Sequence, residues 1–145
     1  MPGQDNLTAQ EKVTREWDGM AGEWDDLAGG YASGFEQLLS NTLKDDDIST
    51  WNVVDFGCGT GLLTDRLRGK VKEITALDVS NRMIEMVEEK ILSQEWNNVE
   101  AVPCVLANLE TSPPEIKDKI TSLYGTIDLI VASSVLTFVP EDDTA

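Results

Sequence analysis

The segment VVDFGCGTGL, residues 53–62, decides the fold of this 145-residue chain. In it, an apolar and β-branched run gives way to three glycines at alternate positions, Gly57, Gly59 and Gly61. Glycines leave the backbone open to a ligand, and unpaired amides at the start of a helix attract carboxylates and other polar groups. We therefore predict a buried strand, a ligand-binding turn and a helix over 62–67 in direct succession.

A carboxylate follows at the end of the next apolar run. Asp78 lies about 20 residues beyond the first glycine, where folds of this kind place an acidic residue that accepts hydrogen bonds from ribose hydroxyls. The dinucleotide fingerprint requires a small residue where Leu62 stands, and the turn lacks the lysine of an ATPase phosphate loop. We therefore predict a nucleoside cofactor without phosphates, with nicotinamide-dependent redox chemistry as the weaker alternative.

Around this segment, apolar runs alternate with amphipathic stretches. Ser80 is a suitable N-cap for one helix, and Pro113-Pro114 begins another that ends near Leu123. Strands that alternate with helices predict an α/β fold with a parallel sheet and right-handed crossovers. The predicted strands cover residues 51–56, 72–77, 97–105 and 127–132.

An N-terminal helical or lid segment over residues 1–45 precedes the predicted α/β domain over 46–145. Helical spacing of apolar residues over 7–45 predicts two helices. Between them, residues 25–34 contain a Gly29-Gly30 pair that bends easily, which predicts a loop or flap.

The chain is strongly acidic, with 11 lysines and arginines, 27 aspartates and glutamates, and a formal net charge of −16. Such a field repels nucleic-acid backbones and anionic membranes, so neither is a predicted partner. The chain has no histidine and its two cysteines stand far apart, which excludes zinc sites, histidine triads and a disulfide framework from the prediction. The polar first residues lack the pattern of a secretory signal, and this predicts a cytoplasmic location.

Three segments resemble the successive signature segments of class I S-adenosylmethionine-dependent methyltransferases: VVDFGCGTG at 53–61, ALDVS at 76–80 and IDLIVASSVL at 127–136. AGEWDDLAGGYASGF at 21–35 is similar to the aromatic and acidic segment that precedes the domain in small-molecule members of the family. The resemblance implies a Rossmann-like parallel sheet with helices on both faces. It also implies S-adenosylmethionine as cofactor, S-adenosylhomocysteine as product and a small-molecule methyl acceptor.

The resemblance assigns the parts of the cofactor to separate residues. Asp55 and the turn at 57–61 would hold the methionine moiety, with Cys58 acting through its backbone. Asp78 would hold the ribose. Tyr31 would lie over the cofactor, where an aromatic face stabilises a sulfonium by a cation–π contact of about 0.5–2 kcal/mol.

Further residues are implied around the adenine. Val79 and Met83 would lie against the ring. Asn108 and Leu109 would close its edge, although the family often has an aspartate where Asn108 stands. The apolar members of this set also fit as plain core residues, and Asn108 fits as a turn former. No residue is identified as a catalytic base, and the remaining implied cofactor contacts are Leu62 and Ser133.

The family sheet has seven strands, whereas this sequence reaches about four before its last residue, Ala145. We therefore expect an incomplete sheet in which residues 127–132 present an unpaired apolar edge, a feature that promotes association. An oligomer or a partner chain that covers this edge is predicted. The alternative function is a catalytically incomplete S-adenosylmethionine-binding module that works through a partner chain.

Overall fold

The computed structural model describes residues 7–133, except for the side chains of Leu27, Leu106, Ala107 and Asn108. Residues 134–145, which the predicted domain includes, lie outside the described part. The helices are α1 (Ala9–Met20), α2 (Trp24–Thr42), α3 (Leu62–Leu67), α4 (Asn81–Ser93) and α5 (Pro114–Ser122). The strands are β1 (Asn52–Phe56), β2 (Glu73–Asp78), β3 (Val99–Pro103) and β4 (Leu129–Val131), and 3-10 turns cover Ala21–Glu23 and Leu106–Thr111.

The four strands form one parallel sheet in the order β3-β2-β1-β4. The predicted α/β fold is confirmed, and the prediction of a helix over 62–67 matches α3. β1 pairs with β2 in a register that runs from Asn52↔Glu73 to Phe56↔Leu77, so the two strands end side by side. The glycine turn that follows β1 and the residue that ends β2 are therefore neighbours at the carboxyl edge of the sheet.

Helices cover both faces of the sheet, as predicted. Because side chains alternate along a strand, Val53 and Val54 of β1 point to opposite faces. Val53 packs in a cluster with Leu63 of α3 and Phe35 of α2, whereas Val54 packs with Ile120 of α5. Burial on both faces explains why Val53, Val54 and Phe56 of β1 are all apolar.

The N-terminal helices differ from the prediction at one place. The expected loop over 25–34 was wrong, because α2 runs without interruption through these residues and the chain bends earlier, at Ala21–Glu23. Ala28 and Ala32 are 5% and 7% exposed, so small side chains let α2 pack closely against the domain. This burial outweighs the cost of about 1 kcal/mol for each glycine in a helix.

β4 is an edge strand within the described residues. One side of it pairs with β1, and Ile130 at its centre is 64% exposed. The partner chain or oligomer along this edge stays a prediction. Across residues 7–133, no helix combines the length and the apolarity that crossing a membrane requires.

Candidate cofactor site

The glycines of the turn that follows β1 have left-handed backbone conformations. Gly57, Gly59 and Gly61 have φ values of 72°, 56° and 86°, which residues with a Cβ adopt only at a cost. The amides of Gly57 and Cys58 both donate to the carbonyl of Leu77, at 2.8 and 2.9 Å. These bonds fasten the turn to the end of β2 and keep its bare backbone at the carboxyl edge of the sheet.

Gly61 combines a left-handed conformation with close packing. A Cβ there would lie 3.3 Å from Cγ2 of Val87 and 3.6 Å from Cζ3 of Trp96. We expect Gly61→Ala to lower the free energy of unfolding by about 1–3 kcal/mol in urea denaturation. Gly29→Ala is the control, because a Cβ at this helical position meets nothing within 4 Å. It should raise the free energy of unfolding by about 0.5–1 kcal/mol, and equal values for the two variants would contradict strain at Gly61.

Asp78 lies at the end of β2, beside the turn. Its Oδ2 accepts a hydrogen bond from the Gly59 amide at 2.8 Å, and its Oδ1 accepts one from the Ser80 amide at 3.0 Å. Burial raises the pKa of Asp78 above its usual value, the backbone amides oppose this rise, and the charge of Asp18 adds to it. Because a carboxylate has about four acceptor positions, Asp78 keeps capacity for a further donor such as a hydroxyl.

Asp55, in β1, is enclosed by the domain. Its side chain is 2% exposed and accepts a hydrogen bond from the Thr64 hydroxyl at 2.6 Å. Burial raises the pKa of Asp55 to about 6, while the Thr64 hydrogen bond lowers it and the charge of Asp78 raises it. The Asp55–Thr64 bond joins β1 to α3 and so fixes both ends of the turn. The implied contact of Asp55 with a methionine moiety stays a prediction.

Cys58 is also buried, and its Sγ lies 3.4 Å from the Gly59 carbonyl. Burial raises the pKa of the Cys58 thiol, and the charges of Asp78 and Asp55 raise it further. A thiol held in its neutral form is a poor nucleophile. Cys58 therefore serves the turn through its backbone, whose carbonyl accepts a hydrogen bond from the Gly61 amide at 3.0 Å.

The residues implied around the adenine have different surroundings. Met83 is 1% exposed in the first turn of α4, and Leu109 packs against the cluster on the α5 face of the sheet. Val79 directly follows β2 and is partly exposed. The side chain of Asn108 lies outside the described residues. Contacts of these residues with a cofactor stay predictions. Leu62 at the start of α3 and Ser133 just after β4 are partly exposed, and their cofactor contacts stay predictions too.

The aromatic side chain that covers the turn is Trp24. A Cβ on Gly59 would lie 2.9 Å from Nε1 of Trp24, so the indole occupies the space that the missing side chain leaves. The ring of Trp17 packs edge-on against Trp24, with 5.1 Å between the centroids. Tyr31 is 75% exposed two turns further along α2, and its contact with a cofactor stays a prediction.

Like Trp24, two carboxylates of the N-terminal helices contact the carboxyl edge of the sheet. Asp25 accepts a hydrogen bond from the Thr60 hydroxyl and forms an ion pair of 3.1 Å with Lys90, which also donates to the Thr60 carbonyl at 2.8 Å. Asp18 accepts a hydrogen bond from the Ser80 hydroxyl. Sequence reasoning did not single out these residues. The aromatic and acidic composition of the segment at 21–35 could have pointed to Asp25, whereas Asp18 lies outside that segment.

Comparison with known proteins identifies relatives of the chain. The uncharacterized protein YmfD of Escherichia coli (strain K12) is 38% identical over 93 residues, which are 64% of this chain and 40% of that protein. YqeM of Bacillus subtilis (strain 168) is 29% identical over 75 residues, which are 46% of this chain and 30% of that protein. The chain therefore spans less than half the length of these relatives.

A solved structure shows the same fold. Magnesium protoporphyrin IX methyltransferase of Synechocystis PCC 6803, with bound S-adenosylmethionine, superposes with a TM-score of 0.70 at 18% identity. The match covers 94% of this chain and 67% of that one. Residues 54–145 match the family model described as a methyltransferase domain. Since the match covers more than half of the sequence, this chain belongs to the methyltransferase domain family and has its class I, Rossmann-like fold.

Proposed function

We propose that this chain binds S-adenosylmethionine at the glycine turn and forms the cofactor part of an enzyme that methylates a small-molecule acceptor. The observation that carries this proposal is the hydrogen bond from the Gly59 amide to Asp78. It holds a bare backbone turn and a carboxylate together at the ends of two adjacent strands. The family of the chain and the S-adenosylmethionine bound in a protein of the same fold support the proposal.

The residues at this edge fit the chemistry of that cofactor. Asp78 keeps acceptor capacity for a ribose hydroxyl, and the left-handed glycines carry no side chains that would block the amino-acid part. Residues 57–61 carry no cationic side chain, as suits a ligand without phosphates. When bound, S-adenosylmethionine supplies a methyl group on a positively charged sulfur. The task of the chain's own residues is to hold and orient the ligand and to exclude water, which favours an in-line displacement.

A small-molecule acceptor is supported by the charge of the chain. At a net charge of −16, approach of a phosphate-rich polymer is unfavourable, so nucleic acid is a poor acceptor. The likeness of residues 21–35 to the leading segment of small-molecule methyltransferases supports the same class. A cytoplasmic location, the absence of a membrane partner and a partner along β4 are further predictions of this proposal.

Titration calorimetry tests the cofactor. We expect S-adenosylmethionine and S-adenosylhomocysteine to bind the chain saturably, one molecule per site, and NAD to produce no binding heat. A glycine turn built for a dinucleotide would reverse this order. Saturable binding of NAD without binding of S-adenosylmethionine would therefore overturn the proposal.

The alternative predicted from the sequence is a module that binds the same cofactor without its own turnover and works through a partner chain. A methyl-transfer assay with a panel of amine, hydroxyl and thiol acceptors separates the two functions. Turnover by the chain supports the enzyme, and tight cofactor binding without turnover supports the module.

A further inference from the structure

The N-terminal arm, defined here as residues 9–25, lies across the same edge of the sheet that forms the candidate site. It contacts the turn through Trp24, whose indole rests on Gly59. It also contacts the end of β2, because Asp18 accepts hydrogen bonds from the Ser80 hydroxyl and, at 3.4 Å, from the Arg82 amide. The arm therefore covers both segments that the proposed cofactor would need.

One of these contacts occupies the turn that the proposed cofactor would use. The Trp24 indole fills the space that a side chain at position 59 would occupy. The carboxylate of Asp18 lies at the N-terminus of α4, next to Asp78, and its charge contributes to the raised pKa of Asp78. The like charges of Asp18 and Asp78 repel each other, and this repulsion opposes the closed position of the arm.

The arm buries few of its side chains. No residue of α1 is buried, and Ala21 in the following turn is the point where the arm enters the core. The ion pair between Asp25 and Lys90 is partly exposed, so it contributes little to holding the arm in place. An arm held in this way can leave the site at moderate cost.

We propose that the N-terminal arm is an internal competitor of the cofactor, closing over the glycine turn and the end of β2 in the free chain and leaving them when the cofactor binds. This inference rests on the proposed function. The apparent affinity for the cofactor is then reduced by the fraction of molecules whose arm is closed. Loosening the arm raises that affinity, although the residues of the site itself are unchanged.

Two variants of the arm and one matched control test the competition. Asp18→Ala and Asp25→Ala each remove the contacts that one carboxylate makes beside the site, together with one negative charge. Asp26→Ala removes the same charge from an exposed residue that makes none of the described contacts with the turn. In titration calorimetry we expect S-adenosylmethionine to bind about three- to tenfold more tightly to the two arm variants than to the wild type. The control should change the affinity by less than about twofold.

Hydrogen exchange supplies a readout that does not depend on affinity. In the ligand-free chain, the amides of α1 should exchange faster in Asp18→Ala than in the wild type or in Asp26→Ala. Saturating S-adenosylmethionine should speed the exchange of α1 in the wild type, because the arm is displaced. Slower exchange in α1 would mean that the arm closes over the cofactor, which overturns the inference.

The outcomes separate this inference from the proposed function. If the wild type binds S-adenosylmethionine and the arm variants bind it equally or more weakly, the competition is refuted while the proposed function stands. If the wild type and all three variants fail to bind it, the proposed function fails and the inference fails with it. Tighter binding by both arm variants, with the control unchanged, supports the inference.

Discussion

Replacing Asp78 with alanine is expected to weaken the binding of S-adenosylmethionine by about 10- to 100-fold. The carboxylate is the one acidic group that ends β2 beside the turn, and the proposed function assigns its free acceptor capacity to the ribose. A lost charge-assisted hydrogen bond costs about 1.5–3 kcal/mol, which corresponds to this range. Titration calorimetry of the wild type and the variant measures the effect directly.

Asp78→Asn distinguishes loss of the charge from loss of the acceptor. The amide keeps one oxygen that can accept from the Gly59 amide, so the turn should stay in place and the affinity should fall less than in Asp78→Ala. Urea denaturation of both variants shows whether the fold persists. An affinity equal to that of the wild type in a folded Asp78→Ala would remove this residue from the site. Asp78→Ala should lower the affinity for S-adenosylmethionine and Asp18→Ala should raise it, although both changes remove one carboxylate.

Replacing Asp55 with asparagine is expected to stabilise the chain at pH 8. Burial raises the pKa of Asp55 to about 6, so the folded state favours the protonated carboxyl. A tenfold change in proton affinity corresponds to about 1.4 kcal/mol, so ionising Asp55 costs roughly 3 kcal/mol more in the folded chain than in the unfolded one. The isosteric amide carries no charge, and we expect it to raise the free energy of unfolding at pH 8 by about 1–3 kcal/mol.

The sign of the pH dependence follows from the direction of the shift. Below about pH 4, Asp55 is protonated in both states and contributes no penalty. As the pH rises from about 4 to about 6, the unfolded chain ionises first, and the folded wild type loses stability from this group. The difference between Asp55→Asn and the wild type should therefore grow over this interval and then level off. Asp118→Asn, at an exposed position, controls for the loss of one negative charge from a chain of net charge −16.

Urea denaturation at several pH values between 4 and 8 measures this difference. If it is the same at every pH, Asp55 ionises without penalty in the folded state and the prediction fails. A smaller gain than expected would follow if the Thr64 hydroxyl bonds poorly to the new amide, since it donates to Asp55 at 2.6 Å in the wild type. Thr64→Val in the Asp55→Asn background isolates that contribution.

Much of the fold could be predicted from local patterns. The apolar run before the glycines identifies β1, because only a strand buried on both faces requires such residues. The cap at Ser80 was confirmed, with its hydroxyl accepting from the Met83 amide. The pairing of β1 with β2 followed from the parallel α/β pattern, so the position of Asp78 beside the turn was also predictable.

The covering of the turn could not be predicted in this way. Asp18 and Ser80 are 62 residues apart in sequence, and Asp25 and Thr60 are 35 apart. No local periodicity records such contacts, which depend on how the helices pack. The glycine pair in α2 misled the prediction because its effect on a helix is weaker than the burial of the nearby alanines. With α2 unbroken, Tyr31 lies about 10 Å along the helix axis from Trp24.

Because the Trp24 indole lies against Gly59, ligand binding at this site can be followed by tryptophan fluorescence. Indole fluorescence responds to the polarity around the ring, and the surroundings of Trp24 differ between contact with the backbone and contact with water. A chain in which Trp17, Trp51 and Trp96 are replaced by phenylalanine would emit from this ring alone. The arrival of a nucleoside at the sheet edge could then be timed in a stopped-flow instrument without an attached dye.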